Sequence, residues 1–141
     1  MRRGSGSART MRTMGRPRVL LADDDPRVLQ VVSRYLALEG YEMATVEDGE
    51  AAVAIAAANP PDLIILDIMM PGIDGIEACR RIRANQSTAE TPVLMFSALS
   101  EEADAAAQAG ADGMLPKPFS LPSLAEAVKS FFEQRGMPQA S

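Results

Sequence analysis

Histidine is absent from the 141 residues. The chain therefore has no imidazole to act as a general base and no side chain that could become a phosphohistidine, which excludes several kinds of catalysis. One cysteine, Cys79, rules out an internal disulfide, and with no partner nearby in sequence it reads as a small core residue of a helix. No apolar run approaches the roughly 18 residues of a membrane span. The N-terminus has no apolar stretch of the signal-peptide type. These absences predict a cytoplasmic protein with no membrane partner.

What is present describes a soluble globular domain: 47% hydrophobic residues and a mean hydropathy of −0.03. Charge is unevenly placed. Residues 1–16 hold Arg2, Arg3, Arg9, Arg12 and Arg16 and no acid, so the net −5 of the chain leaves −10 on residues 17–141. An acidic body argues against nucleic-acid binding by the domain itself. The leader, with Gly4-Ser5-Gly6-Ser7 and no apolar periodicity, predicts a disordered basic tail over 1–16, a domain over 17–135 and a polar tail over 136–141. No output module follows within these residues, so the message is expected to pass by protein contact, unless the chain is a fragment of a longer protein.

Leu63-Ile64-Ile65-Leu66 reads as a strand buried on both faces, because a strand with one wet face would alternate. Asp67 arrives where that run ends, and Pro71-Gly72 turns the chain. Val19-Leu20-Leu21-Ala22 likewise ends in Asp23-Asp24-Asp25, with Asp25 as the N-cap and Pro26 in the first turn of a helix that Gly40 ends. Further strands are expected at Tyr41–Val46, Pro92–Phe96 and Gly113–Leu115. Helices alternate with them at 50–58, 75–84 and 101–109, and a last one is capped by Ser120 with an inner stripe of Leu121, Leu124, Val128 and Phe131. Five strands alternating with five helices predict an α/β fold, a parallel sheet with helices on both faces. In that fold the carboxyl ends of the strands share one rim, where ligands bind. Asp23, Asp24, Asp67, Ser97 and Lys117 all fall there; the second strand offers nothing comparable.

Each of these residues alone has a plainer explanation: Asp as a turn or cap residue, Ser97 as a strand-end hydroxyl, Lys117 as a solvated charge. Together they suggest phosphoryl chemistry. At 4 Å and an effective dielectric of 20, a pair of carboxylates costs on the order of 4 kcal/mol. A hard divalent cation would relieve it, and few protein ligands plus water suit Mg²⁺ better than Ca²⁺. Lys117 could neutralise a phosphoryl oxygen and Ser97 donate to another. An ionised Asp67 could attack phosphorus with no general base.

The segments Val19-Leu20-Leu21-Ala22-Asp23-Asp24-Asp25-Pro26, Asp67-Ile68-Met69-Met70-Pro71-Gly72-Ile73-Asp74-Gly75, Met95-Phe96-Ser97-Ala98 and Lys117-Pro118-Phe119 make the chain resemble a response regulator receiver domain of two-component signal transduction, the CheY-like family, over about residues 17–135. The resemblance implies a flavodoxin-like sheet in order 2-1-3-4-5 and phosphorylation at Asp67. It implies Mg²⁺ held by Asp23 or Asp24, Asp67 and the backbone carbonyl of Met69, and a cis peptide before Pro118 that aims Lys117 into the site. The phosphoryl donor would be a histidine kinase or histidine phosphotransfer protein. Ser97 would swing towards the phosphoryl group and repack the face of the fourth helix, fifth strand and fifth helix, for a downstream protein target, a fused output domain or a phosphorylation-dependent dimer. Such a domain is a phosphoacceptor and not an enzyme with a separate substrate.

Two departures qualify that pattern. Met114 stands where many members carry an aromatic switch residue, and methionine adapts its shape without reporting an inward or outward state. Two rivals remain: a pseudo-receiver that binds without phosphorylation, and a haloacid-dehalogenase-type phosphatase with Asp23 as nucleophile and Asp25 as acid/base. Against the phosphatase, Pro26 replaces its Gly-Thr turn and no acidic pair follows Lys117. The second departure is at Met69 and Leu99, which in the family help orient the attacking water; both are apolar, which predicts slow self-dephosphorylation. Phosphoryl loss timed in the wild type and in Met69→Asn checks this: the asparagine should hasten it, and a wild type that is already fast refutes the prediction.

Overall fold

A computed structural model describes residues 15–97 and 102–134. The leader up to residue 14, Leu99 and the polar tail from 135 lie outside the described residues. The elements are β1 (Arg18–Ala22), α1 (Pro26–Leu38), β2 (Glu42–Val46), α2 (Gly49–Ala58), β3 (Leu63–Asp67), α3 (Gly75–Ala84), β4 (Val93–Ser97), α4 (Ala103–Ala109), β5 (Gly113–Pro116) and α5 (Leu121–Gln134). The strands form one parallel sheet in the order β2-β1-β3-β4-β5. Fold class and strand order are those expected from the sequence.

The sheet lies between two helical layers because its central strands are apolar at every position. Leu63 to Leu66 are fully buried, and successive residues feed opposite faces. Val19, Leu21, Leu63, Ile65, Leu94 and Phe96 meet Leu29, Val32 and Leu36 of α1 and Leu124, Val128 and Phe132 of α5. On the other face Leu20, Ala22, Ile64, Leu66, Val93 and Met95 meet α2, α3 and α4 through Ala52, Ala56, Ala78, Cys79, Ile82 and Ala106. Small residues on this second layer let its three helices lie close to the sheet. Cys79 is part of that core as expected; burial pushes its thiol pKa up, and Sγ lies 3.4 Å from the Ala109 carbonyl.

Helix starts follow a single chemical device. Asp25, Asp48 and Asp74 each accept from a backbone N–H of the first turn, those of Arg27, Ala51 and Glu77, at 2.9, 2.7 and 2.9 Å. Ser120 caps α5 in the same way, accepting from Ser123 N at 3.1 Å.

Element ends shift by a residue or two from the sequence expectation, and two differences have a clear physical cause. β1 begins one residue earlier, at Arg18, whose charge is met by the Asn59 carbonyl at 2.9 Å and by Glu42 at 3.5 Å, so it can be buried in the sheet. On α5 the deepest aromatic is Phe132, not Phe131: Leu124, Val128 and Phe132 recur every four residues. Phe131 is half-buried and its ring tip lies 2.8 Å from where a Cβ on Gly113 would stand.

Arg83 ties the end of α3 to the turn after α4. Its guanidinium donates to Gly110 O at 3.1 and 2.9 Å, to Thr91 O at 2.6 Å and to Asp112 at 2.8 Å. Gly110, at φ 106°, closes α4 in the left-handed conformation, and a Cβ there would also strike the Arg83 stem at 2.8 Å.

Gly75 opens α3 directly against the end of β3: its N–H donates to Ile68 O at 2.8 Å, and a Cβ there would run into the Asp67 carbonyl oxygen and lie 2.9 Å from Ile68 Cα. The obstacle is backbone, so it cannot swing aside. Gly75→Ala should destabilise the fold by about 1–3 kcal/mol; urea unfolding checks this, and an unchanged midpoint would count against so close an approach.

Candidate functional site

The sheet's hydrogen-bond ladder fixes where each rim residue arrives. Ala22 pairs with both Val46 and Leu66, Asp67 with Phe96, and Ser97 with Pro116. Bonds from Asp23 N to Val46 O (3.2 Å), Ile68 N to Phe96 O (3.1 Å) and Lys117 N to Ser97 O (2.7 Å) extend the ladder past the strand ends. Asp23, Asp24 and Asp67 are thereby brought together, each with a carboxylate oxygen within 4.8 Å of the others. Asp23 and Asp67 are buried, whereas Asp24 is exposed.

Lys117 follows the edge strand β5 and reaches Asp67 from two strands away and Asp23 from three. Neighbouring strands lie about 4.8 Å apart, so the side chain must cross the end of β4. It does so over Phe96, with Nζ 5.7 Å from the ring centroid, and Phe119 packs on that ring at 4.5 Å. Nζ then lies 3.1 Å from Asp23 Oδ2 and 3.1 Å from Asp67 Oδ1. The Lys117–Pro118 peptide is cis.

Charges here perturb one another. Burial, then the neighbouring Asp23, pushes the Asp67 pKa up from 3.8 to about 6 although Lys117 pulls the other way. Burial disfavours the Lys117 ammonium, yet the hydrogen bond to Asp23 and the charge of Asp67 outweigh it and raise its pKa. All the donors are hard oxygens, the cluster is acidic, and one member faces solvent. That set fits a small divalent cation such as Mg²⁺.

Other expected residues lie at the rim but do not all face the acids. The Ser97 hydroxyl donates to Glu102 Oε1 at 2.6 Å, in the turn that opens α4. Asp25 caps α1 and pairs with Arg27 at 3.6 Å. The backbone N–H of Arg27 holds its carboxyl below the usual range. Met69 is 64% exposed, while Met114 is half-buried and packs into the core on the α3 side of the sheet. Glu102 is the residue that sequence reading missed, since an acid ahead of a helix ordinarily complements the helix dipole.

The family of response regulator receiver domains matches residues 19–129. This chain belongs to it. The receiver is 44% identical over 122 residues to the transcriptional regulatory protein PrrA of Mycobacterium tuberculosis, covering 85% of this chain and 52% of that protein. It spans about half the length of the curated relatives it matches. A putative response regulator from Chloroflexus aurantiacus superposes with a TM-score of 0.80 at 34% identity, covering 84% of this chain and 98% of the other. The receiver domain of a sensor histidine kinase from Pseudomonas aeruginosa, with a magnesium ion coordinated in its active-site cleft, superposes with a TM-score of 0.78 at 30% identity, covering 84% and 98%. Among the described residues of this receiver no helix is long and apolar enough to cross a membrane.

The raised Asp67 pKa means that the folded receiver binds this proton more tightly than the unfolded chain does. Raising the pH from about 4 to about 6 therefore costs stability in the metal-free protein, and the penalty is complete above that range. Asp67→Asn should stabilise the receiver by on the order of 1–3 kcal/mol at pH 7.5 in a chelator, with the gain gone below about pH 4. Urea unfolding at both pH values measures it, and a less stable variant at pH 7.5 would contradict the expectation.

Proposed function

We propose that this receiver accepts a phosphoryl group on Asp67 from a phosphohistidine of a histidine kinase or phosphotransfer protein. The observation that carries the reading is the buried Asp67 carboxylate at the end of the central strand, with the Lys117 ammonium 3.1 Å away and two further acids beside it. Asp67 attacks phosphorus, a P–O bond forms as the P–N bond breaks, and the departing imidazole of the donor takes up a proton. The ionised carboxylate has no proton to lose, which agrees with the absence of any histidine in the chain.

Lys117 neutralises charge that builds on the phosphoryl oxygens, and its position over Phe96 restricts where the ammonium can go. Asp23, Asp24, Asp67 and the Met69 carbonyl would hold Mg²⁺, which supplies charge neutralisation for the transferring group. Asp23 also accepts from the Asp25 backbone N–H at 2.9 Å, which orients it before any ligand arrives. Ser97 donates to a phosphoryl oxygen once it leaves Glu102, and Met114 takes part in the repacking on the β5 side. The output is a change in the protein-binding face, read in the cytoplasm by a partner protein, a second copy or a fused output domain. Relatives such as PrrA are transcriptional regulators roughly twice as long as the matched region. Asp25 speaks against the phosphatase alternative, since its carboxylate is taken up by the Arg27 N–H as the cap of α1, at 2.9 Å.

Incubation with acetyl phosphate and Mg²⁺ followed by peptide mass spectrometry tests the assignment. The adduct should sit on Asp67 and vanish in Asp67→Asn; an adduct on Asp23 would favour the phosphatase, and none at all a binding module without phosphorylation. Lys117→Ala should slow labelling by roughly 100-fold.

A further inference from the structure

We propose that Glu102 is a positioning residue that withholds the Ser97 hydroxyl from the acceptor site until Asp67 is phosphorylated. The inference rests on Asp67 being the acceptor. Ser97 ends β4 almost fully buried, at 3% exposure, and its Oγ donates to Glu102 Oε1 at 2.6 Å. A hydroxyl bonded to an ionised carboxylate makes a bond about twice as strong as one between neutral groups. A serine hydroxyl has one proton. While it is given to Glu102 it cannot also be given to a phosphoryl oxygen.

Glu102 is set apart from the other cap residues of the fold. Asp25, Asp48 and Asp74 turn their carboxylates onto N–H groups of their own helices. Glu102 occupies the corresponding place before α4 but makes no side-chain cap bond; its carboxylate faces back to β4. The helix behind it is seven residues long and buries only Ala106 and Ala109. Among the described residues, a polar tie meets α4 at each end: Ser97–Glu102 at the start and Arg83–Gly110 at the finish.

A phosphoryl group on Asp67 would bring about two negative charges to the rim. It competes with Glu102 for the same proton, and like charge disfavours leaving Glu102 where it is. When Ser97 turns to the phosphoryl oxygen, Glu102 loses its donor and the first turn of α4 is released. By linkage the coupling is reciprocal at equilibrium: weakening the Glu102 bond favours the phosphorylated state, and phosphorylation weakens the bond. A hydroxyl freed beforehand can also donate to the phosphoryl oxygens during transfer, which the labelling rate reads.

Initial rates of Asp67 labelling by acetyl phosphate with Mg²⁺ provide the test, in the wild type, Glu102→Ala, Glu102→Gln, Ser97→Ala and the Ser97→Ala/Glu102→Ala double variant. Removing the carboxylate should raise the rate about tenfold. Glutamine keeps an acceptor without the charge and should fall between. In the Ser97→Ala background the same truncation should change nothing, which separates withholding of the hydroxyl from a general loss of negative charge. A flat response to Glu102→Ala, or an equal gain without Ser97, overturns the proposal. A wild type that takes no label on Asp67 overturns the acceptor reading itself, and this inference with it.

Discussion

Three carboxylates share the rim of this sheet because one ammonium lies between two of them. Lys117 Nζ is equidistant, at 3.1 Å, from Asp23 and Asp67, and without it their repulsion would act in a largely buried place. The pair of contacts is possible only because the parallel register delivers β1, β3 and β5 to the same level. It also needs the stem of a lysine from the edge strand to cross the end of β4 over Phe96. Burial, and then the charge of Asp23, still raise the Asp67 pKa against the pull of Lys117. A buried acid beside a second acid has a standing preference for more positive charge nearby.

Much of this was legible in the sequence. The run Leu63 to Leu66 can only be a strand covered on both faces, and the pairs Asp25-Pro26, Asp48-Gly49 and Asp74-Gly75 mark helix starts through the capping chemistry of aspartate. Alternation of elements then fixes the rim on which Asp23, Asp67, Ser97 and Lys117 meet. What could not be read was orientation. Ser97 was placed at the right edge, but whether its hydroxyl faces the acids or α4 depends on a competitor, Glu102, five residues on. Arg18 carries a charge and so looks like a residue before the strand; a carbonyl and an acid from distant segments make its burial tolerable. Phe131 and Phe132 are adjacent and alike, and only the four-residue step from Leu124 through Val128 decides which one goes deepest.

The two helical layers are built differently. The α1 and α5 side is packed with Leu, Val and Phe, including the stacked Tyr41 and Phe132 rings at 5.6 Å, whereas the α2, α3 and α4 side relies on alanines, Cys79 and a few larger chains. Large interlocking side chains resist displacement more than a smooth alanine surface does. On that second layer α4 is the shortest helix and buries only Ala106 and Ala109.

Arg83 holds the far end of that helix. Its guanidinium grips the carbonyl of Gly110, the strand-leading Thr91 and the Asp112 carboxylate, so the trailing end of α4 is clamped to the body of the domain. At the leading end, Glu102 accepts from the Ser97 hydroxyl. A short rod fixed at one end and released at the other does not slide; it pivots. On the proposed release of Ser97 from Glu102 the Arg83 clamp is the fulcrum, so that the turn of one serine hydroxyl becomes an angular swing of the helix axis, largest at the end of α4 nearest the rim.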